Sequence, residues 1–132
     1  MIDMKTQGEI EAAVCQAFRH FEQEHVGRGP QDARAYLIED LLVVRLTGTL
    51  TAAEQQLVQS AYPELGKDLV KEARAHVLES SELTLEAMIE EATGVKVVSM
   101  HRDISTVTGE KIVVFTLAEA PEIQDAKRRE PA

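Results

Sequence analysis

The sequence has no tryptophan, two tyrosines, three phenylalanines, one cysteine and four prolines in 132 residues. A lone cysteine, Cys15, excludes an internal disulfide, and no Cys-x-x-Cys or His-Glu-x-x-His spacing is present to hold a metal. Basic residues are in deficit, with 14 Lys+Arg against 23 Asp+Glu and a formal charge of −9. Nucleic-acid backbones are gripped by surplus Lys and Arg, so no nucleic-acid partner is expected. No apolar run approaches the roughly 20 residues of a membrane-spanning helix, so direct membrane insertion is not expected either. Residues 1–6 lack a basic stretch followed by an apolar one, which argues against a secretory signal and for a cytoplasmic location.

What is present is an ordinary globular balance, 44% hydrophobic and 28% charged, in a chain of one-domain length. Thr6 and Glu9 have capping-box spacing. Ile10, Val14, Ala17, Phe18 and Phe21 then recur at steps of three and four, the stripe of an amphipathic helix. Cys15 sits inside that helix as a small apolar residue. Gly27-Arg28-Gly29-Pro30 ends it. This segment lacks the Gly-Lys-Ser/Thr ending of a phosphate loop and follows a helix, so it reads first as a tight reversal. The alternative is an exposed loop whose Arg28 meets an anion or partner.

Beyond residue 30 the period becomes two. Taking Glu39-Asp40 as a two-residue turn sets Ile38 opposite Leu41, Tyr36 opposite Val43 and Arg34 opposite Arg45. The other face then collects Ala33, Ala35, Leu37, Leu42, Val44 and Leu46 and is wholly apolar. Two greasy faces are more than one layer of helices covers, which predicts a homodimer. Thr51 and Glu54 repeat the cap spacing and open a short helix to about residue 60. A long helical pattern spans 64–93, with an expected core stripe of Leu65, Leu69, Ala73, Val77, Leu85, Met88 and Ala92, flanked by Val70, Leu78 and Ile89. Its middle, Glu79-Ser80-Ser81-Glu82, predicts a bend or restart, and Gly94 closes it. No Lys or Arg occurs from 77 to 93, while Glu79, Glu82, Glu86, Glu90 and Glu91 do, giving a solvated acidic face or a dock for a basic partner.

Residues 95–102 and 111–117 read as a second hairpin with its tip at Thr108-Gly109. The expected fold is α+β: a four-stranded, mainly antiparallel sheet built from two hairpins, with an N-terminal helix and a long bent central helix packed on it. Residues 1–118 form the single domain, and 119–132 read as a flexible charged tail. His20, His25, His76 and His101 make no ligand pair, so no metal is expected. Asp103, Ser105, Thr106, Thr108 and Glu110 crowd one polar loop next to His101. It reads as a self-capped turn or as a small-ligand site. No nucleophile, base and orienter are spaced together, so no catalytic residue, no enzyme and no cofactor are expected.

Three segments carry a family resemblance: Gly27-Arg28-Gly29-Pro30, the strand pair from Tyr36 through Arg45 and Gly48 to Thr51, and the run from Thr93 through His101, Asp103, Ser105, Thr106 and Gly109 to Glu110. Together they resemble the MpsC-like family, named from a sodium-translocating membrane-potential-generating system, over residues 6–117. The sequence departs from the family pattern at Met100 and Arg102, where a small aliphatic and a small polar residue are usual. The resemblance implies a non-enzymatic accessory or regulatory subunit of a membrane system for inorganic-carbon (bicarbonate/CO2) uptake. It would sit in the cytoplasm, peripheral to the inner membrane face through a membrane-protein partner. The alternative is a small-ligand or anion sensor using loop 101–110. Candidate ligand contacts are Arg28, Arg45, His101, Asp103, Ser105 and Thr106.

Overall fold

The computed structural model describes residues 5–124. Its elements are α1 (Gln7–His25), β1 (Asp32–Ile38), β2 (Leu41–Thr47), α2 (Ala52–Val58), α3 (Pro63–Ser80), α4 (Glu82–Thr93), β3 (Val97–Ile104) and β4 (Lys111–Leu117). The four strands form one antiparallel sheet in the order β1-β2-β4-β3. The α+β architecture with two hairpins and an N-terminal helix is therefore as expected. The hairpins join through β2 and β4, which the sequence left open.

Local chemistry sets the element ends. The Thr6 and Thr51 hydroxyls accept from the Glu9 and Glu54 N–H groups, and each glutamate accepts in return from its threonine N–H, closing two capping boxes. Pro63 opens α3 at a position where its missing N–H costs nothing. The helical pattern over 64–93 breaks at Ser81, which ends α3 and starts α4. Gly94 ends α4 in the left-handed region at φ 79°. Glu39 takes a left-handed φ of 57° and reverses the chain between β1 and β2, and the register is the expected one, Arg34 opposite Arg45 and Ile38 opposite Leu41.

Strand alternation divides the sheet into two faces. The inner face carries Ala35, Leu37, Leu42, Val44, Val113 and Phe115, all buried. It packs against α1, where Phe18 meets Phe115 at 6.2 Å and Phe21 at 6.3 Å between ring centroids. Leu85 and Ile89 of α4 complete the cluster. The outer face carries no covering helix among the described residues. Tyr36 and Ile38 there remain 44% and 57% exposed.

The core face of α3 differs from the expected stripe by one position. Leu65 and Leu69 are 59% and 45% exposed, whereas Gly66, Val70, Arg74 and Leu78 are buried. The cause is α2, which lies across α3 so closely that a Cβ on Gly66 would collide with the Leu57 carbonyl. Residues 119–124 lie against the domain: Pro121 is buried, Ile123 packs on the main core, and the Gln124 N–H donates to the Lys5 carbonyl at 2.8 Å. The rest of the expected tail lies outside the described residues.

Because the obstacle at Gly66 is backbone, it cannot swing aside as a side chain would. Gly66→Ala is expected to destabilise the protein by about 2 kcal/mol through overpacking. Thermal unfolding of the variant, read by circular dichroism, checks this against Gly8→Ala, whose Cβ meets nothing within 4 Å.

Candidate functional site

The expected site residues do not converge. Arg28 donates through Nη1 to the Leu50 carbonyl at 3.1 Å, tying the loop after α1 to the segment after β2. Arg45 lies on the outer face and pairs with Glu110 at 2.6 Å. His101, on the same face, is opposite Val114. Asp103 accepts from the Ile104 N–H at 2.9 Å and pairs with Lys71 at 3.2 Å. These contacts, the backbone bond first, hold its carboxyl below the ordinary value of 3.8. The Ser105 hydroxyl accepts from the Val107 and Thr108 N–H groups, so it is spent on its own turn. Thr106 is half-buried in that turn. Gly109, at φ 76°, docks the turn on the body, its carbonyl accepting from the Thr49 N–H and hydroxyl. Loop 101–110 is thus mostly strand and capped turn.

A different set of charged residues does converge, inside the fold. Glu22 of α1 is fully buried and pairs with Lys111 of β4 at 2.6 Å. Arg74 of α3 sits beside them, its Nη1 3.9 Å from the other Glu22 oxygen. Its Nε and Nη2 grip the Glu54 carboxylate at 2.6 and 2.8 Å, and Nη2 also donates to the Thr49 carbonyl at 2.6 Å. Two anions and two cations thus join α1, α2, α3, β4 and the end of β2. Burial pulls the Lys111 ammonium below its ordinary 10.5, with Glu22 opposing. Burial raises the Glu54 carboxyl, but Arg74 and the Thr51 N–H outweigh it and leave it below 4.5. The Lys111 Nζ also stands 5.8 Å from the Phe21 ring centre, within cation–π reach.

Sequence reasoning missed this cluster although a signal existed. Glu22 continues the Val14–Phe18 spacing, Arg74 lies midway between Val70 and Leu78, and Lys111 alternates into the face of Val113 and Phe115. Each is a charge on a position whose periodicity assigns it to the core.

Above the cluster, between α3 and the β3–β4 end of the sheet, lies a cavity of about 320 Å³. Lys71, Arg74, Arg102 and Lys111 line it, with Asp103 the one acidic residue among its walls. Four of the chain's 14 basic residues therefore border one cavity in a protein of net charge −9. Arg102 supplies part of this wall. Arg102 also approaches Glu79 at 3.9 Å. Among the described residues no group of three or more His, Cys, Asp or Glu is arranged to hold a metal. Cys15 is half-buried, its thiol donating to the Ala33 carbonyl at 3.4 Å and raised by burial above its ordinary 9.0.

Removing one member of the Glu22–Lys111 pair strands the other charge in the core. Lys111→Met and Glu22→Gln are each expected to cost about 3–5 kcal/mol. The Glu22→Gln/Lys111→Met double variant is expected to lose less than the sum of the two single changes. Urea unfolding of the single and double variants measures the coupling.

Comparison with known proteins accords with the fold-wide motif pattern. The model of the family described as "Na+-translocating membrane potential-generating system (MpsC)" matches residues 6–119. The uncharacterized protein YbcI of Bacillus subtilis (strain 168) is 34% identical over 113 residues, covering 86% of this chain and 89% of that protein. The uncharacterized protein YrhF of the same organism is 32% identical over 99 residues, covering 74% and 78% respectively. No solved structure matches. With a family match from the capping box of α1 to the end of β4, and a relative that aligns over nearly its whole length, the chain belongs to the MpsC family.

Proposed function

We propose that the protein is a non-enzymatic accessory or regulatory subunit of a membrane-associated system that generates membrane potential and takes up inorganic carbon. The family description motivates the membrane connection, and none of the described helices is long and apolar enough to cross a bilayer. In this reading a protein partner at the inner membrane face provides the attachment. The observation that carries this reading is the outer surface of α4. Leu83 is 82% exposed there, with Glu82, Glu90 and Glu91 exposed on the same short helix and no basic residue on it. An exposed leucine in an acidic field suits a basic protein surface with an apolar pocket.

Membranes from cells expressing the family's membrane components are expected to retain the tagged full-length chain. Retention should fall steeply between about 0.05 and 0.5 M salt as the charges are screened. Glu82→Lys/Glu90→Lys is expected to lower it at least tenfold. Retention indifferent to salt and to charge reversal, or no retention of a folded protein, overturns the reading.

The basic cavity favours a second reading, a sensor of small oxyanions. Arg102 and Lys71 are only partly exposed at its wall, with ion-pair partners no closer than 3.9 and 3.2 Å, and guanidinium forks suit carboxylate or phosphate oxygens. Inorganic phosphate at millimolar concentration is expected to raise the thermal midpoint beyond the effect of chloride at equal ionic strength. Lys71→Ala/Arg102→Ala should abolish the difference. An equal effect of the two salts, or an undiminished phosphate effect in the variant, excludes this reading.

A further inference from the structure

We propose that the cavity between α3 and the β3–β4 end of the sheet binds an amphipathic monocarboxylate, an acid with an apolar body of about six to ten carbons. The proposal rests on the oxyanion-sensor reading of this cavity and names the ligand class that such a sensor takes. Surplus charge does not make the site. Each cation on the cavity already has a carboxylate near it: Glu22 stands 2.6 Å from Lys111, Glu54 2.6 Å from Arg74, Asp103 3.2 Å from Lys71 and Glu79 3.9 Å from Arg102. What remains unspent is hydrogen-bonding capacity. The Arg74 side chain is 6% exposed and commits Nε and Nη2 to Glu54 and Thr49. Its Nη1 is buried with no hydrogen-bond partner among the described residues, because the Glu22 oxygen at 3.9 Å is out of reach. Arg102 is half-buried, and 3.9 Å to Glu79 is likewise too long for a hydrogen bond.

These two guanidinium groups come to the cavity from opposite walls, Arg74 from α3 and Arg102 from β3. A buried donor without an acceptor is costly, and an entering oxyanion removes that cost. Since the cations are already balanced, one added negative charge is held more easily than two, which favours a carboxylate over a phosphate dianion. The rest of the lining selects the body of the ligand. Ala75 and Leu78 of α3 and Ile104 of β3 face the same space, and Leu78 and Ile104 are buried. A bare oxyanion takes up roughly two or three times the ~30 Å³ of a water, and the cavity holds about 320 Å³. Apolar walls with a few convergent polar groups are the usual make-up of a small-molecule site. An acid with its carboxylate between the two arginines and its hydrocarbon against Ala75, Leu78 and Ile104 satisfies both parts of the lining.

The probes are acetate, butyrate, hexanoate and octanoate, with 1-octanol as a body lacking the head group and inorganic phosphate as a head group lacking the body. Heteronuclear NMR titration of the full chain at constant ionic strength reads binding and its location. Affinity is expected to rise about three- to fourfold per added methylene, so that octanoate exceeds acetate at least a hundredfold, with shifts centred on residues 71–78 and 102–111. Arg102→Gln should weaken octanoate at least tenfold and leave octanol unchanged. Ala75→Phe should fill the cavity and erase most of the advantage of octanoate over acetate, while the chain-length series tests the apolar wall without any substitution. Octanoate no tighter than acetate, with phosphate still shifting these amides, overturns the inference and leaves the oxyanion reading standing. No response of these amides to any anion overturns both. Octanol as tight as octanoate, octanoate affinity unmoved by Arg102→Gln, or shifts confined to another surface, such as the exposed Leu65 and Leu69, each overturns the site.

Discussion

Four charged side chains, three of them almost shut off from water and Glu54 half-buried, decide how the parts of this protein meet. Glu22, Lys111, Arg74 and Glu54 come from four different elements, and each leaves an opposite charge stranded if it moves away. Apolar contact alone tolerates sliding, because one aliphatic surface fits another in many registers. A 2.6 Å ion pair at the bottom of a core does not slide. The docking of α1 on β4, and of the α2–α3 pair on both, is therefore specified more sharply than the leucines and valines around it specify it.

Much of the architecture was legible because it is local. The capping boxes at Thr6 and Thr51, the break at Ser81 and the turn at Glu39-Asp40 follow from neighbouring residues, and the turn fixed the β1–β2 register down to Arg34 opposite Arg45. The pairing of β2 with β4 was not legible, since all four strands present an apolar face and periodicity does not rank neighbours. The face of α3 was misread for a related reason. Two interleaved apolar rows run along that helix, and the row with more leucine is the exposed one. Gly66 and Arg74, residues that a hydrophobicity count scores as non-core, mark the buried side.

The candidate site shows the same limit. His101, Asp103, Ser105 and Thr106 attract attention as a polar run, but strand alternation sends His101 and Asp103 to the outer face and the turn consumes Ser105. Arg28 and Arg45 are held elsewhere. The basic cavity instead draws one residue each from 71, 74, 102 and 111, positions that no linear motif groups.

The short helix α2 has a further consequence. It fully buries none of its own side chains and is held by the close approach at Gly66, by the grip of Arg74 on Glu54 and by Val58 packing on the small cluster of Leu50, Val70 and Ile104. None of these contacts involves the Phe18–Phe115 core. Its detachment is therefore a local event, cheaper than global unfolding and separable from it. Amide protons of α2 would exchange with solvent through that partial opening, while those of β2 and β4 wait for the whole domain to come apart.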